Sequence, residues 1–273
     1  MNSTAQESFL LPAISLWWRE VLRFFRQRSR IVGALGSPLL FWILLGSGLG
    51  KSFHSPDAPV GMGYLEYFFP GTVALILMFT AIFSTISIIE DRKEGFLQAV
   101  LAAPVPRSSI VLGKVLGGTT LALIQGLLFL ALAPLAGISL SIAGMLASAL
   151  VMFVVAFGLT ALGFILAWQL DSTQGFHAIM NLFLIPMWLL SGAAFPVAGS
   201  AGWISCIMRL NPLTYGVAAL RQSLYLGHYP EGFAKSFGPD LGSCLLISAL
   251  FGAVAFAGVV LVARQRRTTD SLV

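Results

Sequence analysis

The residues able to carry chemistry are few, and their spacings rule out most of it. Gly46-Ser47-Gly48-Leu49-Gly50-Lys51-Ser52 resembles a phosphate-binding loop. That motif needs a glycine where this chain has Leu45, with a strand before it and a helix after it. Neither flank reads that way, so Gly46 and Gly50 are better taken as a small-residue face for helix packing. His54, His177 and His228 are isolated on different segments, and Cys206 and Cys244 are the only thiols. Such a set provides neither a metal centre nor a nucleophile with its base. The two cysteines would pair only if both faced an oxidising compartment. Every Asp and Glu falls at a boundary or in a loop, so the intramembrane acids of a proton-coupled transporter are missing. A channel filter or a ring of charges is likewise not evident. The expectation is a chain without catalytic residues, bound metal or cofactor of its own.

One dense charge cluster remains, Glu90-Asp91-Arg92-Lys93-Glu94, followed by Gly95 and then Phe96-Leu97-Gln98-Ala99-Val100-Leu101-Ala102-Ala103-Pro104-Val105-Pro106. In hydrocarbon each charge would cost roughly 2.5–3.5 kcal/mol at a helix centre. The segment is therefore expected in water or against a partner. After Gly95 it becomes amphipathic, with Phe96, Leu97, Val100 and Leu101 on one side of a short helix that Pro104 and Pro106 end.

The surrounding elements must belong to a membrane. The chain is 57% hydrophobic and 10% charged, against roughly 25% charged in a soluble domain. Residues 12–30 read as an amphipathic interfacial helix. Ile14, Trp17, Trp18, Val21, Leu22 and Phe25 form its apolar face, and Arg19, Arg23, Arg26 and Arg30 its opposite face, in water or on anionic lipid. Six spans are expected, at about 31–49, 69–89, 109–133, 142–168, 176–197 and 241–262. Aromatic Tyr64, Tyr67, Phe68 and Phe69 mark the boundary before the second span, and Pro70 suits its first turn. Ser108 or Ser109 is expected to cap the third, with Lys114 snorkelling to the surface and Gly113 and Gly117 forming a packing face. Asn181 in the fifth span suits an interhelical hydrogen bond, and Pro186 a bend. Residues 200–226 are apolar but interrupted by Arg209, Asn211-Pro212 and Arg221, which predicts short external re-entrant helices. The fold class is thus an all-α integral membrane domain covering 1–273.

Six spans place both termini on one side. That side carries twelve Lys and Arg, at positions 19, 23, 26, 28, 30, 92, 93, 107, 114, 264, 266 and 267. The other carries four, Lys51, Arg209, Arg221 and Lys235. The termini and the charged segment are therefore assigned to the cytoplasm. The net charge of +5 follows from this asymmetry and calls for no nucleic acid.

Four motifs, taken in order, resemble the permease subunit of an ABC transporter of the type-2 exporter class. They are Tyr64-Leu65-Glu66-Tyr67-Phe68-Phe69-Pro70-Gly71, Glu90–Gly95 through Ala103-Pro104, Asn181 through Pro196, and Asn211-Pro212-Leu213-Thr214-Tyr215 followed by Arg221. Where many relatives have Thr-Leu-Glu after the glycine, this chain has Phe96-Leu97-Gln98. The resemblance implies a separate cytoplasmic ATPase carrying ATP and Mg, seated on residues 90–106 and the N-terminal helix. Glu90, Arg92, Glu94, Gly95, Phe96, Leu97, Val100, Arg19 and Arg23 would make that coupling. It also implies a second permease chain, normally a homodimer, in the cytoplasmic (inner) membrane and in contact with membrane lipids. The substrate would be a drug, lipid or polysaccharide. Phe79, Phe83, Asn181, Phe183, Met187 and Trp188 are the candidates for an amphipathic substrate path, and Pro70, Gly71, Asn211, Pro212, Tyr215 and Arg221 for structural positions. A non-transporting scaffold is the alternative of a different class, and an ion-driven transporter is disfavoured by the missing acids.

Overall fold

The computed structural model describes residues 9–26, 28–49, 62–195, 200–227 and 239–264. Gly50, Lys51 and Ser52 of the phosphate-loop lookalike, His54, Pro196, His228, Lys235, Arg266 and Arg267 lie outside these residues. So do the side chains of Arg28 and Arg30.

The described residues are helical, without strands. In order they form α1 (Leu10–Arg26), α2 (Arg28–Leu49), α3 (Tyr64–Ser84), α4 (Ile86–Lys93), α5 (Phe96–Ala102), α6 (Arg107–Leu130), a 3-10 turn (Ala133–Ala136), α7 (Ile142–Gln169), α8 (Thr173–Leu189), α9 (Gly202–Leu210), α10 (Pro212–Leu224) and α11 (Leu241–Arg264). Local chemistry sets several boundaries. Ser141 and Ser172 accept backbone bonds from Gly144 and Gly175 at 2.8 and 3.3 Å, which starts α7 and α8. Asn211 accepts from the Leu213 N–H at 3.0 Å, and Pro212 supplies a first helical residue that needs no donor. Gly95 separates α4 from α5 at φ +77°, a conformation that favours glycine.

Four stretches among the described residues are long and apolar enough to cross a membrane: Tyr64–Lys93, Arg107–Leu130, Ile142–Gln169 and Leu241–Arg264. The other two expected spans coincide with α2, apolar over Leu35–Gly48, and with the 17-residue α8. Helix α3 is central and apolar all round, which buries it on every side. Phe68, Phe69, Ile76, Leu77, Met78, Ala81 and Ile82 have no exposed surface. It packs against α2, α6, α7 and α10. At the periphery, α11 leaves Leu246, Leu250, Val254 and Leu261 exposed as an apolar face.

Three local expectations change. Helix α3 starts at Tyr64, because the Tyr67 N–H bonds Gly63 at 3.0 Å, so Pro70 lies inside the helix rather than in its first turn. Tyr64, Tyr67 and Phe68 are buried in the core rather than exposed as an aromatic belt, because neighbouring helices cover this part of α3. Helix α6 is preceded by extended Pro106 with no side-chain cap, and the Ser109 hydroxyl instead donates to the Phe9 carbonyl at 2.6 Å.

The amino-terminal half of α3 is pinned at Gly71. The Trp188 indole donates to the Gly71 carbonyl at 2.8 Å. A methyl group on Gly71 would lie 2.6 Å from the Ala193 carbonyl oxygen and 2.9 Å from its Cα, both backbone atoms. Gly71→Ala should therefore destabilise by about 1–3 kcal/mol through overpacking. Gly48→Ala, which meets nothing within 4 Å, should leave the thermal midpoint in detergent unchanged or raised.

Candidate functional site

Helix α1 runs alongside the first turns of α6 in the same direction. The Phe9 carbonyl meets Ser109, and the Trp17 indole donates to Thr120 at 3.0 Å. Gly113 and Gly117 allow this approach, since added Cβ atoms would strike the Ala13 carbonyl at 2.5 Å and the Glu20 Cβ at 2.7 Å. The small-residue face thus receives α1. The exposed side of α1 is apolar, with Ile14, Trp18, Leu22 and Phe25. Arg19 and Arg23 turn inward, contrary to the expectation of a water- or lipid-facing row, while Arg26 is exposed.

They turn toward Asp91, which has no exposed surface. Arg19 forks onto its carboxylate at 3.0 and 2.7 Å, Arg23 donates at 2.9 Å, and the Lys114 ammonium donates at 2.5 Å. Lys114 also donates to Glu20 at 2.8 Å, and Arg23 to Glu90 at 2.8 Å. Lys114 is therefore buried and does not snorkel. Its side chain is 3% exposed, and two carboxylates replace its water. Burial works against the Arg19 charge, yet the hydrogen bond and charge of Asp91, with help from Glu20 and Glu94, hold its pKa above the ordinary value.

The cluster also fixes the start of α5. Arg19 lies 3.8 Å over the Phe96 ring, and Leu97 is buried beneath α5. Val100 is half-buried, while Glu94 is exposed and 3.9 Å from Arg23. On the other flank Arg92 donates to the carbonyls of Leu170 and Trp168 at 3.1 and 2.7 Å and to the Asp171 carboxylate at 3.0 Å. Arg107 caps the end of α11 through the Ala263 and Arg264 carbonyls at 2.7 and 3.1 Å. The cation-rich segments thus meet at one end of the bundle. Sequence reasoning missed Asp91, Glu20 and Lys114 as members of this site. The available signal was Lys114 placed within a span beside the cluster at 90–94.

Beside the cluster a cleft of about 700 Å³ opens between α1, α2, α3 and α8. Glu20, Arg23, Ser84 and His177 line the end near Asp91; Phe41, Leu75, Trp188 and Leu189 line the other. Phe79 and Phe83 form part of its wall, and Phe83 contacts His177 with ring centroids 4.9 Å apart. Asn181 and Phe183 are on the exposed face of α8, and Met187 packs against the core.

At the opposite end Asn211 donates to the Met187 and Leu190 carbonyls at 2.6 and 2.9 Å. The Tyr215 hydroxyl donates to the Arg209 carbonyl at 2.9 Å. Arg221, in the last turn of α10, lies 4.3 Å over the Tyr67 ring and donates to the Gly192 carbonyl at 3.2 Å. These contacts hold the segment after α8 against α3 and α10. Among the described residues no group of three His, Cys, Asp or Glu could hold a metal.

Removing one side of the Asp91–Lys114 pair leaves buried charge uncompensated. Asp91→Asn should lower stability by about 3–5 kcal/mol. Adding Lys114→Met to it should cost less than the sum of the two single changes, by roughly 0.5–3 kcal/mol. Thermal unfolding of the purified protein in detergent reads both effects, and simple additivity would contradict the pairing.

Comparison with known proteins agrees with this architecture. The family model described as ABC-2 type transporter matches residues 13–225. The chain is 27% identical over 263 residues to the protein named transport permease ycf38 of Cyanophora paradoxa, covering 93% of this chain and 90% of that one. It is 28% identical over 211 residues to Nodulation protein J of Rhizobium meliloti (strain 1021), covering 76% and 79%. The family match takes in α1, the charged segment, the cleft and the α10 contacts, and on that basis the chain belongs to the ABC-2 type transporter family.

Proposed function

We propose that this chain is the membrane permease of an ATP-driven exporter that moves an amphipathic substrate out across the cytoplasmic membrane. It has six spans, α2 and α8 supplying the first and fifth, and its termini are in the cytoplasm. It acts as a homodimer with two ATPase subunits, which carry the ATP and Mg; the permease itself hydrolyses nothing. The observation that carries the reading is the coupling segment. Helix α5 projects Gln98 and Ala99 outward, while Leu97, Asp91 and Arg92 tie it to α1, α6 and the α7–α8 turn. A partner that moves α5 must therefore move the elements bonded to it.

The cleft supports an amphipathic substrate rather than a wholly polar one. The charged groups Glu20 and Arg23 are confined to its cytoplasmic end, and the rest of the wall is mainly apolar and aromatic, interrupted by the hydroxyls of Ser37 and Thr80. A molecule from the inner leaflet would keep its head near His177 and Ser84 and its apolar body against Phe79, Phe83 and Trp188. Phe183 and the exposed Leu182 and Ile185 of α8, with Leu40 and Phe41 of α2, suit the second permease chain.

Reconstitution with the cognate ATPase tests the reading. Substrate should stimulate ATP hydrolysis in the complex, and the permease alone should neither hydrolyse ATP nor transport. Phe96→Ala removes the ring under Arg19 and should weaken ATPase association by roughly 1–2 kcal/mol, or about five- to thirtyfold in Kd. Full transport by the permease alone would overturn the proposal.

A further inference from the structure

Helix α9 divides its circumference into three chemically distinct strips. Trp203, Cys206, Ile207 and Leu210 recur at i, i+3, i+4 and i+7 and are all exposed. Trp203 is 69% and Leu210 79% exposed, although both are among the most apolar residues of the helix. Met208, with Ile204 beside it, forms the strip that faces the protein, and Met208 has no exposed surface. Ser205 and Arg209 occupy the third strip, between these two.

A helix dipping end-on into hydrocarbon would carry Arg209 and the Asn211 junction with it. That would place an unpaired charge in hydrocarbon, which strongly disfavours it. A helix lying along the membrane surface satisfies all three strips together, with protein on one side, water on the second and acyl chains on the third. Its location agrees. The carboxy-terminal end of α9 is fixed to the end of α8 by the Asn211 bonds to Met187 and Leu190, and to α10 by the Thr214 hydroxyl donating to the Met208 carbonyl at 2.6 Å. Helix α10, by contrast, is buried within the chain among α3, α7 and α11. Its 13 residues span roughly 20 Å, too short for a crossing.

We infer that α9 lies flat in the outer lipid interface, with Trp203, Cys206, Ile207 and Leu210 in the acyl region beneath the headgroups and Arg209 at headgroup phosphates, while α10 alone inserts. The occupant of the stripe is phospholipid. The inference rests on reading α8 and α11 as membrane spans.

The chain carries its own probe, since Cys206 is exposed and Cys244 buried. Bimane attached to Cys206 in phosphatidylcholine nanodiscs can be quenched by nitroxide lipids labelled near the headgroup or near the chain end, and by aqueous iodide. A shallow helix predicts quenching roughly threefold stronger from the headgroup-proximal nitroxide than from the chain-end one, with little effect of iodide. A separate Leu250→Cys label, on the exposed face of α11, should be quenched best by the chain-end nitroxide. Dominant chain-end quenching at Cys206 would mean a re-entrant helix, and dominant iodide quenching a helix in water. No quenching by any probe would mean that a second copy covers the stripe. Each of these overturns the inference while leaving the span reading intact if the Leu250→Cys control behaves. An unquenched control would overturn both.

Discussion

A fully buried carboxylate has to find its countercharges inside the protein, and here that requirement falls on Asp91. Water is excluded from it, so desolvation must be offset by close, well-aimed donors. Arg19 and Arg23 from α1 and Lys114 from α6 meet the carboxylate, and Glu20 satisfies the rest of Lys114. The ionic groups thus set the register of three helices. Apolar packing between α1 and α6 permits several sliding positions, whereas the cluster allows one. The glycines at 113 and 117 are what let α1 come close enough for that geometry.

The consequence is mechanical. Helix α5 follows Asp91 by only five residues, and Gly95 turns the chain between them. The same segment is fastened on its other flank by Arg92 to the turn between α7 and α8. Force applied to α5 therefore reaches two sides of the bundle through short polar bonds. The cleft adjoins this junction and shares Glu20 and Arg23 with it. Movement at the coupling segment and the shape of the cleft's polar end are consequently linked by common side chains.

Much of this organisation was legible in the sequence, for physical reasons that can be named. Long apolar runs make helices in a membrane because a helix satisfies its backbone hydrogen bonds within a single segment. A charged break ended by prolines cannot continue a span. What the sequence did not reveal was direction. The helical period put Arg19 and Arg23 on one face of α1 but left open whether that face met water or a buried acid. Lys114 looked like a residue reaching for the surface because its partners, Asp91 and Glu20, are 23 and 94 positions away. Trp188 similarly read as a path residue, whereas its indole also ties α8 to the Gly71 carbonyl. Such long-range pairings arise only when the helices are assembled.

The central claim is that α1 and the coupling helix move as one body, held together through Asp91. Electron–electron double resonance between spin labels at Leu10→Cys on α1 and Ala99→Cys on α5, with Cys206 and Cys244 replaced by serine, measures this in the reconstituted complex. The account predicts one narrow distance distribution, unchanged between nucleotide-free and ATP-bound states and broadened by Asp91→Asn. A distance that shifts with nucleotide while Asp91 is intact would contradict it.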